Sequence, residues 1–212
     1  MSEIRAAFVD AAVSAAGLLS DPAVAAAWDG PSVLPEFSIA GLAGHLAAQV
    51  LNVPKALAAP VGEAEPLTLA DHYAAVRWRG TGPDEDVNVG IRTSGEEIAA
   101  AGPAALVAQV DAVIAEVRVT LPAEPADRAV FLPWTGWSLS LDDLLVTRMM
   151  EIAVHSDDLG ASVGVPAPDL PPAVLDPVLG LLFRLAVGRH GQAAVLRALA
   201  RAERAPASIA AI

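Results

Sequence analysis

Residues 149–160 read MMEIAVHSDDLG, and the reading of this stretch decides the fold. Its apolar residues recur at helical rather than alternating spacing, which places it in a helix. Within that helix Glu151 and His155 stand four residues apart, one above the other on the same face. Extended in both directions, the stripe Leu141, Leu145, Arg148, Ile152, His155 and Leu159 should face a core. Its edge is the row Leu144, Arg148, Glu151, His155 and Asp158. Ionisable groups on an inward margin are costly unless they pair or hold a metal. Two readings stay open from this helix alone. One is a set of internal ion pairs, Arg148 with Glu151 and His155 with Asp158; the other is a metal site.

Outward from this helix, the rest of the chain also reads as helical. Of its 212 residues 54% are hydrophobic, yet only 4% are aromatic, and alanine supplies much of the difference. Ala, Leu and Val with little strict alternation favour closely packed helices. Residues 3–19 carry Ile4, Phe8, Ala12, Ala15 and Leu19 at helical spacing, and a short helical piece reaches Trp28. Ser38 is the expected N-cap of a second main helix, which Pro54 should end or kink. The stretch 67–79 reads as a short helix, 80–90 as a polar loop, and Ser94 with Glu97 as a capping box interrupted by Gly102-Pro103. A third main helix runs from Pro103 to about Leu121, with Leu106, Val110, Val113 and Val117 on one stripe. The connection that follows has room for a hairpin at Thr135-Gly136, with Trp134 and Trp137 placed either to wall a pocket or to cap the core. Ser140 and Asp143 then cap the fourth helix, expected over 141–159 and stopped at Gly160.

The expected architecture is an all-α four-helix bundle over residues 1–165. Residues 166–212 follow as a Pro-rich linker and a short helical C-terminal extension, with helices at 172–188 and about 191–204. No apolar run gives the roughly 20 clean residues of a membrane span, and no signal peptide opens the chain. A cytoplasmic protein that does not bind membranes is expected. A net charge of −12 argues against nucleic acid as a partner. The basic group Arg184, Arg189, Arg197, Arg201 and Arg204 in the tail reads as a solvated face. The tail helices could cover the bundle itself or a second subunit, so a homodimer is open.

The second main helix bears on the two readings. His45 lies between Leu42 and Leu46, with Gln49 one turn on, in an otherwise apolar segment. A single inward histidine is ordinarily a satisfied core residue. Two helices of one bundle, each offering a histidine and one adding a carboxylate, make a metal site of the kind built in bundle interiors. Two imidazoles and a carboxylate suit a catalytic zinc with an open fourth position, and nickel, cobalt or iron accept the same set. His72 and His190 lie in or beside expected loops and read as incidental. The chain has no cysteine, so any thiol chemistry must come from a bound cofactor.

The segment SIAGLAGHLAAQV (38–50), followed about a hundred residues later by TRMMEIAVHSDDLGASVG (147–164), resembles the mycothiol-dependent maleylpyruvate isomerase family within the DinB/YfiT-like metalloproteins. The pattern shared is a GHL histidine and an R-x-x-E-x-x-x-H-x-x-D-L run, here Arg148, Glu151, His155, Asp158 and Leu159. The resemblance implies a DinB-like bundle whose metal ligands are His45, Glu151 and His155. Arg148 and Asp158 occupy matching positions and are expected to orient ligands and act in catalysis. It also implies mycothiol as thiol cosubstrate and a small electrophilic substrate. A thiolate formed at the metal would add to an activated cis double bond, allow rotation and leave, or would remain on the electrophile. The isomerase itself carries a further sterol-carrier-like α/β domain, which the roughly 47 Ala- and Arg-rich residues after 165 do not resemble. Two other functions fit the same residues. One is a metal-dependent hydrolase with Asp158 as general base. The other is a non-enzymatic, metal-stabilised binding module acting through its tail.

Overall fold

Alanine decides how closely these helices approach. In the computed structural model, described over residues 2–61, 65–76, 82 and 84–212, helix α1 (Glu3–Leu19) buries Ala7, Ala11, Ala12 and Ala15 around Phe8. It lies against α6 (Pro103–Thr120) and α7 (Leu141–Val163), while α3 (Ile39–Ala58) packs on α6 and α7 from the other side. These four helices share one core that includes Leu42, Leu46, Val110, Val117, Leu144, Leu145 and Met149. Each such fully buried leucine contributes roughly 1.5–3 kcal/mol. The four-helix bundle expected from the sequence is thus the observed fold.

The caps of the two site-bearing helices form as their sequences require. The Ser38 side chain accepts the Gly41 N–H at 2.8 Å, and Ser140 accepts the Asp143 N–H at 3.0 Å. Ser140 also closes a short hairpin of β1 (Ala129–Leu132) and β2 (Trp137–Ser140), paired antiparallel with Leu132 opposite Trp137. Gly136 turns it with φ 88°, a conformation that side chains with a Cβ rarely adopt. The hairpin therefore feeds directly into α7. Buried Arg5 ties the start of α1 to the same corner. It donates to Asp142 Oδ1 at 2.9 Å and to the carbonyls of Leu121, Glu124 and Pro125 at 3.2, 2.5 and 2.7 Å.

Several expectations are corrected. Pro54 does not end its helix: α3 runs one turn further to Ala58, and Ala56 beyond the proline is fully buried. Gly160 lies inside α7, and the helix stops instead at Gly164, whose φ of 74° is left-handed. A Cβ at Gly160 would stand 2.8 Å from the Val165 carbonyl oxygen, so this glycine serves the chain's close return past the helix. The tail helix α8 (Pro172–His190) follows, then α9 (Gln192–Ala200), which ends earlier than expected. Val174, Val178, Leu181 and Leu185 of α8 join the common core against α1 and α7.

The largest correction is a further helix. The stretch assigned as loop and capping box contains α5 (Asp86–Ala99), so Ser94 and Glu97 lie within a helix and cap nothing. Trp78 and its neighbours at 77–81 lie outside the described residues. α5 crosses α3 at backbone contact: a Cβ on Gly44 would collide with the Gly95 carbonyl oxygen, and one on Gly95 with that of Gly41. Glu96 reaches back to accept the Ser38 hydroxyl at 2.5 Å. Gly102, at φ 89°, then turns the chain by 94° into α6, which Pro103 opens. α5 is thus the clamp that fixes α3 one residue before His45. Among the described residues no single helix is long and apolar enough to cross a membrane.

Candidate metal centre

Two packed helices bring the expected ligands together. His45 comes from the middle of α3, and Glu151 and His155 come from successive turns of α7. One donor atom of each of the three lies within 4.8 Å of the others. The two imidazoles meet edge to face, with ring centroids 4.6 Å apart at 76°. Burial is deep but incomplete: the Glu151 and His155 side chains keep 12% and 16% of their surface exposed, enough for one open side.

The hydrogen bonds single out one imidazole as fixed and the other as free. His155 is held between two carboxylates, Nδ1 at 3.0 Å from Asp158 Oδ2 and Nε2 at 3.1 Å from Glu151 Oε2. His45 makes no ring hydrogen bond to any described residue; its backbone carbonyl accepts from Gln49 Nε2 at 2.8 Å. The electrostatics separate the pair further. Burial, with the His155 charge added, pushes the His45 imidazole down to about 4, which leaves it neutral with a lone pair to give. Burial also opposes charge on His155, but its hydrogen bonds to Asp158 and Glu151 win and raise it to about 9. For Glu151, burial would favour the acid; the His155 hydrogen bond and charge, then Arg148 and His45, outweigh it and hold the carboxyl near 2. The arrangement is a carboxylate, a neutral imidazole and an imidazolium whose proton occupies the ground between Nε2 and Glu151. A cation that displaced this proton would find three ligand atoms already gathered.

Arg148 does not pair with Glu151 in the way the ion-pair reading requires. Its Nη1 donates to Gln49 Oε1 at 2.5 Å and its Nε to Thr147 Oγ1 at 3.2 Å, both neutral acceptors. Gln49 therefore bridges the His45 backbone and the Arg148 guanidinium across the two helices. The other half of that reading, His155 with Asp158, is present.

His72, expected in or beside a loop, is not among the three gathered donors, and the structure corrects its placement. It sits in helix α4 (Leu69–Ala75), is almost fully buried, and its Nδ1 accepts the Trp137 indole N–H at 3.0 Å. Burial, reinforced by the Arg148 charge, lowers it to about 4. A neutral imidazole with its Nδ1 engaged carries its proton on Nε2. The sequence signal was Trp137 itself, since an indole N–H brought into a core needs an acceptor. Trp134, by contrast, is exposed at the hairpin turn, and His190 bonds the Ala210 carbonyl at 2.8 Å.

Comparison with known proteins joins this geometry to a family. The model of the mycothiol maleylpyruvate isomerase N-terminal domain matches residues 8–160, nearly three-quarters of the chain and every residue of the site. The chain belongs to the mycothiol maleylpyruvate isomerase N-terminal domain family. Membership places it among enzymes, which sets the non-enzymatic module aside. Two solved structures share the fold, a mycothiol-dependent maleylpyruvate isomerase and a histidine-to-alanine variant of it. Each is 17% identical, over 87% of this chain and 68% of the other, with TM-scores of 0.56 and 0.55. No curated protein matches the sequence. Within the maleylpyruvate isomerase family the DinB-like bundle is therefore shared well beyond sequence similarity.

Proposed function

We propose that this member of the family is a divalent-metal-dependent enzyme that uses a low-molecular-weight thiol, mycothiol, on a small electrophile. The observation that carries this reading is His45, a buried neutral imidazole without a ring hydrogen bond to any described residue, facing Glu151 and His155 with all three donor atoms within 4.8 Å. That donor set fits a divalent ion, zinc first, with nickel, cobalt or iron suited to the same ligands. A bound ion with an open position would hold the sulfur and lower its pKa, so that a thiolate is present at neutral pH.

The chain's own residues then have distinct tasks. His45, Glu151 and His155 hold the ion. Asp158, at 3.0 Å from His155 Nδ1, fixes the ring so that Nε2 faces the centre. Arg148, held by Gln49 and Thr147 and within ion-pair distance of no carboxylate among the described residues, binds and orients an anionic group on the electrophile. The absence of cysteine agrees with an external thiol, and a reduced thiol pool agrees with a cytoplasmic setting. The engagement of Asp158 by His155 tells against the hydrolase, which needs that carboxylate free as a general base.

The test uses the cobalt-loaded protein. Addition of a small thiol is expected to produce a sulfur-to-metal charge-transfer band at neutral pH, absent in the His45→Ala variant. An unchanged spectrum at saturating thiol would remove the thiol from the reading.

A further inference from the structure

The described residues of the bundle leave no leucine or phenylalanine exposed, and the tail leaves five. Among the described residues every exposed leucine and phenylalanine lies on α8 or α9: Leu175, Leu179, Phe183, Leu196 and Leu199. The rest of the exposed large apolar side chains are scattered valines with Trp134 and Ile212, which need no explanation. On α8 the exposure is ordered. Leu175, Leu179 and Phe183 follow one another at four-residue steps, a single row along the face turned away from the core, and Leu179 is 53% exposed.

Two charges flank this row. Asp176 and Arg184 are exposed, and neither forms an ion pair or side-chain hydrogen bond with a described residue. Eight residues apart, they are separated by about 12 Å of helix, too far to reach each other. Gly180 lies between them, and a Cβ there would meet only the Arg184 Nη1 at 4.0 Å. The face has a particular symmetry. Reversing the helix about an axis at Leu179 exchanges Leu175 with Phe183 and brings Asp176 within two residues, about 3 Å along the axis, of the position of Arg184, within reach of its long side chain. It is complementary to itself when turned end for end.

We propose that this face of α8 is an isologous interface, on which two copies of the chain pair with their α8 helices antiparallel. Leu175, Leu179 and Phe183 of each copy pack along the same row of the other. Gly180 lets the helices approach closely, and Asp176 of each copy meets Arg184 of the second. A closed two-fold contact of this kind leaves no edge for further growth. The charges fix direction and register, because a parallel pairing would set like charges opposite each other. The interface lies on the tail, so it is independent of the metal and thiol assigned to the bundle.

The test is sedimentation velocity of the full chain from about 1 to about 100 µM, the range in which a modest interface forms. A species of twice 21.6 kDa is expected to replace the monomer as concentration rises. Leu179→Glu or Phe183→Glu should weaken the dimer by about a hundredfold and leave the circular dichroism unchanged. Asp176→Arg or Arg184→Asp alone should weaken it by about tenfold, and the double exchange should restore it. A wild-type chain that stays monomeric throughout, or a dimer indifferent to Leu179→Glu, overturns the proposal. So does a double exchange that fails to rescue, because the antiparallel register requires that rescue.

Discussion

Two buried charge clusters stand at different places in this bundle, and they are satisfied to different degrees. Around Arg5 every guanidinium nitrogen is engaged, by the Asp142 carboxylate and by three backbone carbonyls of the α6–hairpin connection. Around His45 the donors exceed their partners among the described residues: one imidazole has no ring hydrogen bond there, and an arginine close by has only neutral acceptors. A saturated cluster holds a fold together. An unsaturated one is a receptor, because its remaining valences are directed at something outside the chain. The Arg5 cluster is thus a structural lock, and the His45 cluster is the proposed binding centre.

The contrast breaks most visibly in substitutions at each cluster. His45→Ala or Glu151→Ala should weaken metal binding by more than about a hundredfold, beyond the effect of losing an outer partner, while the metal-free fold is kept. Arg5→Ala should do the opposite. It should destabilise the fold by about 3–5 kcal/mol in chemical denaturation, since Asp142 and three carbonyls lose their partner, and leave metal affinity intact in the folded fraction. A folded His45 variant with full metal content would end the distinction.

A smaller effect is expected at Asp158, which touches the proposed ligand His155 and lies outside the proposed ligand set. Asp158→Asn should weaken metal binding by about 10–100-fold without abolishing it, as measured by competition with a chromophoric chelator. The pH dependence sharpens the same point. His155 is protonated in the metal-free protein up to about 9, so metal binding must release that proton. Affinity should rise by about tenfold per pH unit below that value and level off above it. Stability of the metal-free protein moves the other way. The raised His155 value contributes stability that is fully present below 6.5 and lost as pH rises through about 9. Denaturation curves with and without metal should therefore diverge as pH rises across this interval.

The sequence showed the four bundle helices, both site-helix caps and the hairpin, because Ser38, Ser140 and Thr135-Gly136 act through local chemistry. The candidate ligands were legible for a similar reason: Glu151 and His155 share a helix face, and His45 stands alone in an apolar run. What escaped depends on tertiary contact. α5 begins in a polar, glycine-bearing stretch and has no side-chain cap, and its place is set by Gly95 against Gly41 and Gly44. Two glycines three apart in a helix cost about 1 kcal/mol each relative to alanine, a sign that another backbone must come close. Gly160 and Gly164 look alike in sequence, and only the return of residues 165–167 tells which one ends the helix. His72 was misread because its partner, Trp137, lies 65 residues away.

The most direct test is elemental analysis of protein purified without affinity-tag metals, comparing wild type with His45→Ala and with Arg5→Lys as the structural control. The account predicts about one equivalent of a divalent metal in wild type and in Arg5→Lys, and none in folded His45→Ala. No metal in wild type, even after loading with zinc and nickel, would contradict it and leave the triad a buried charge cluster like that of Arg5.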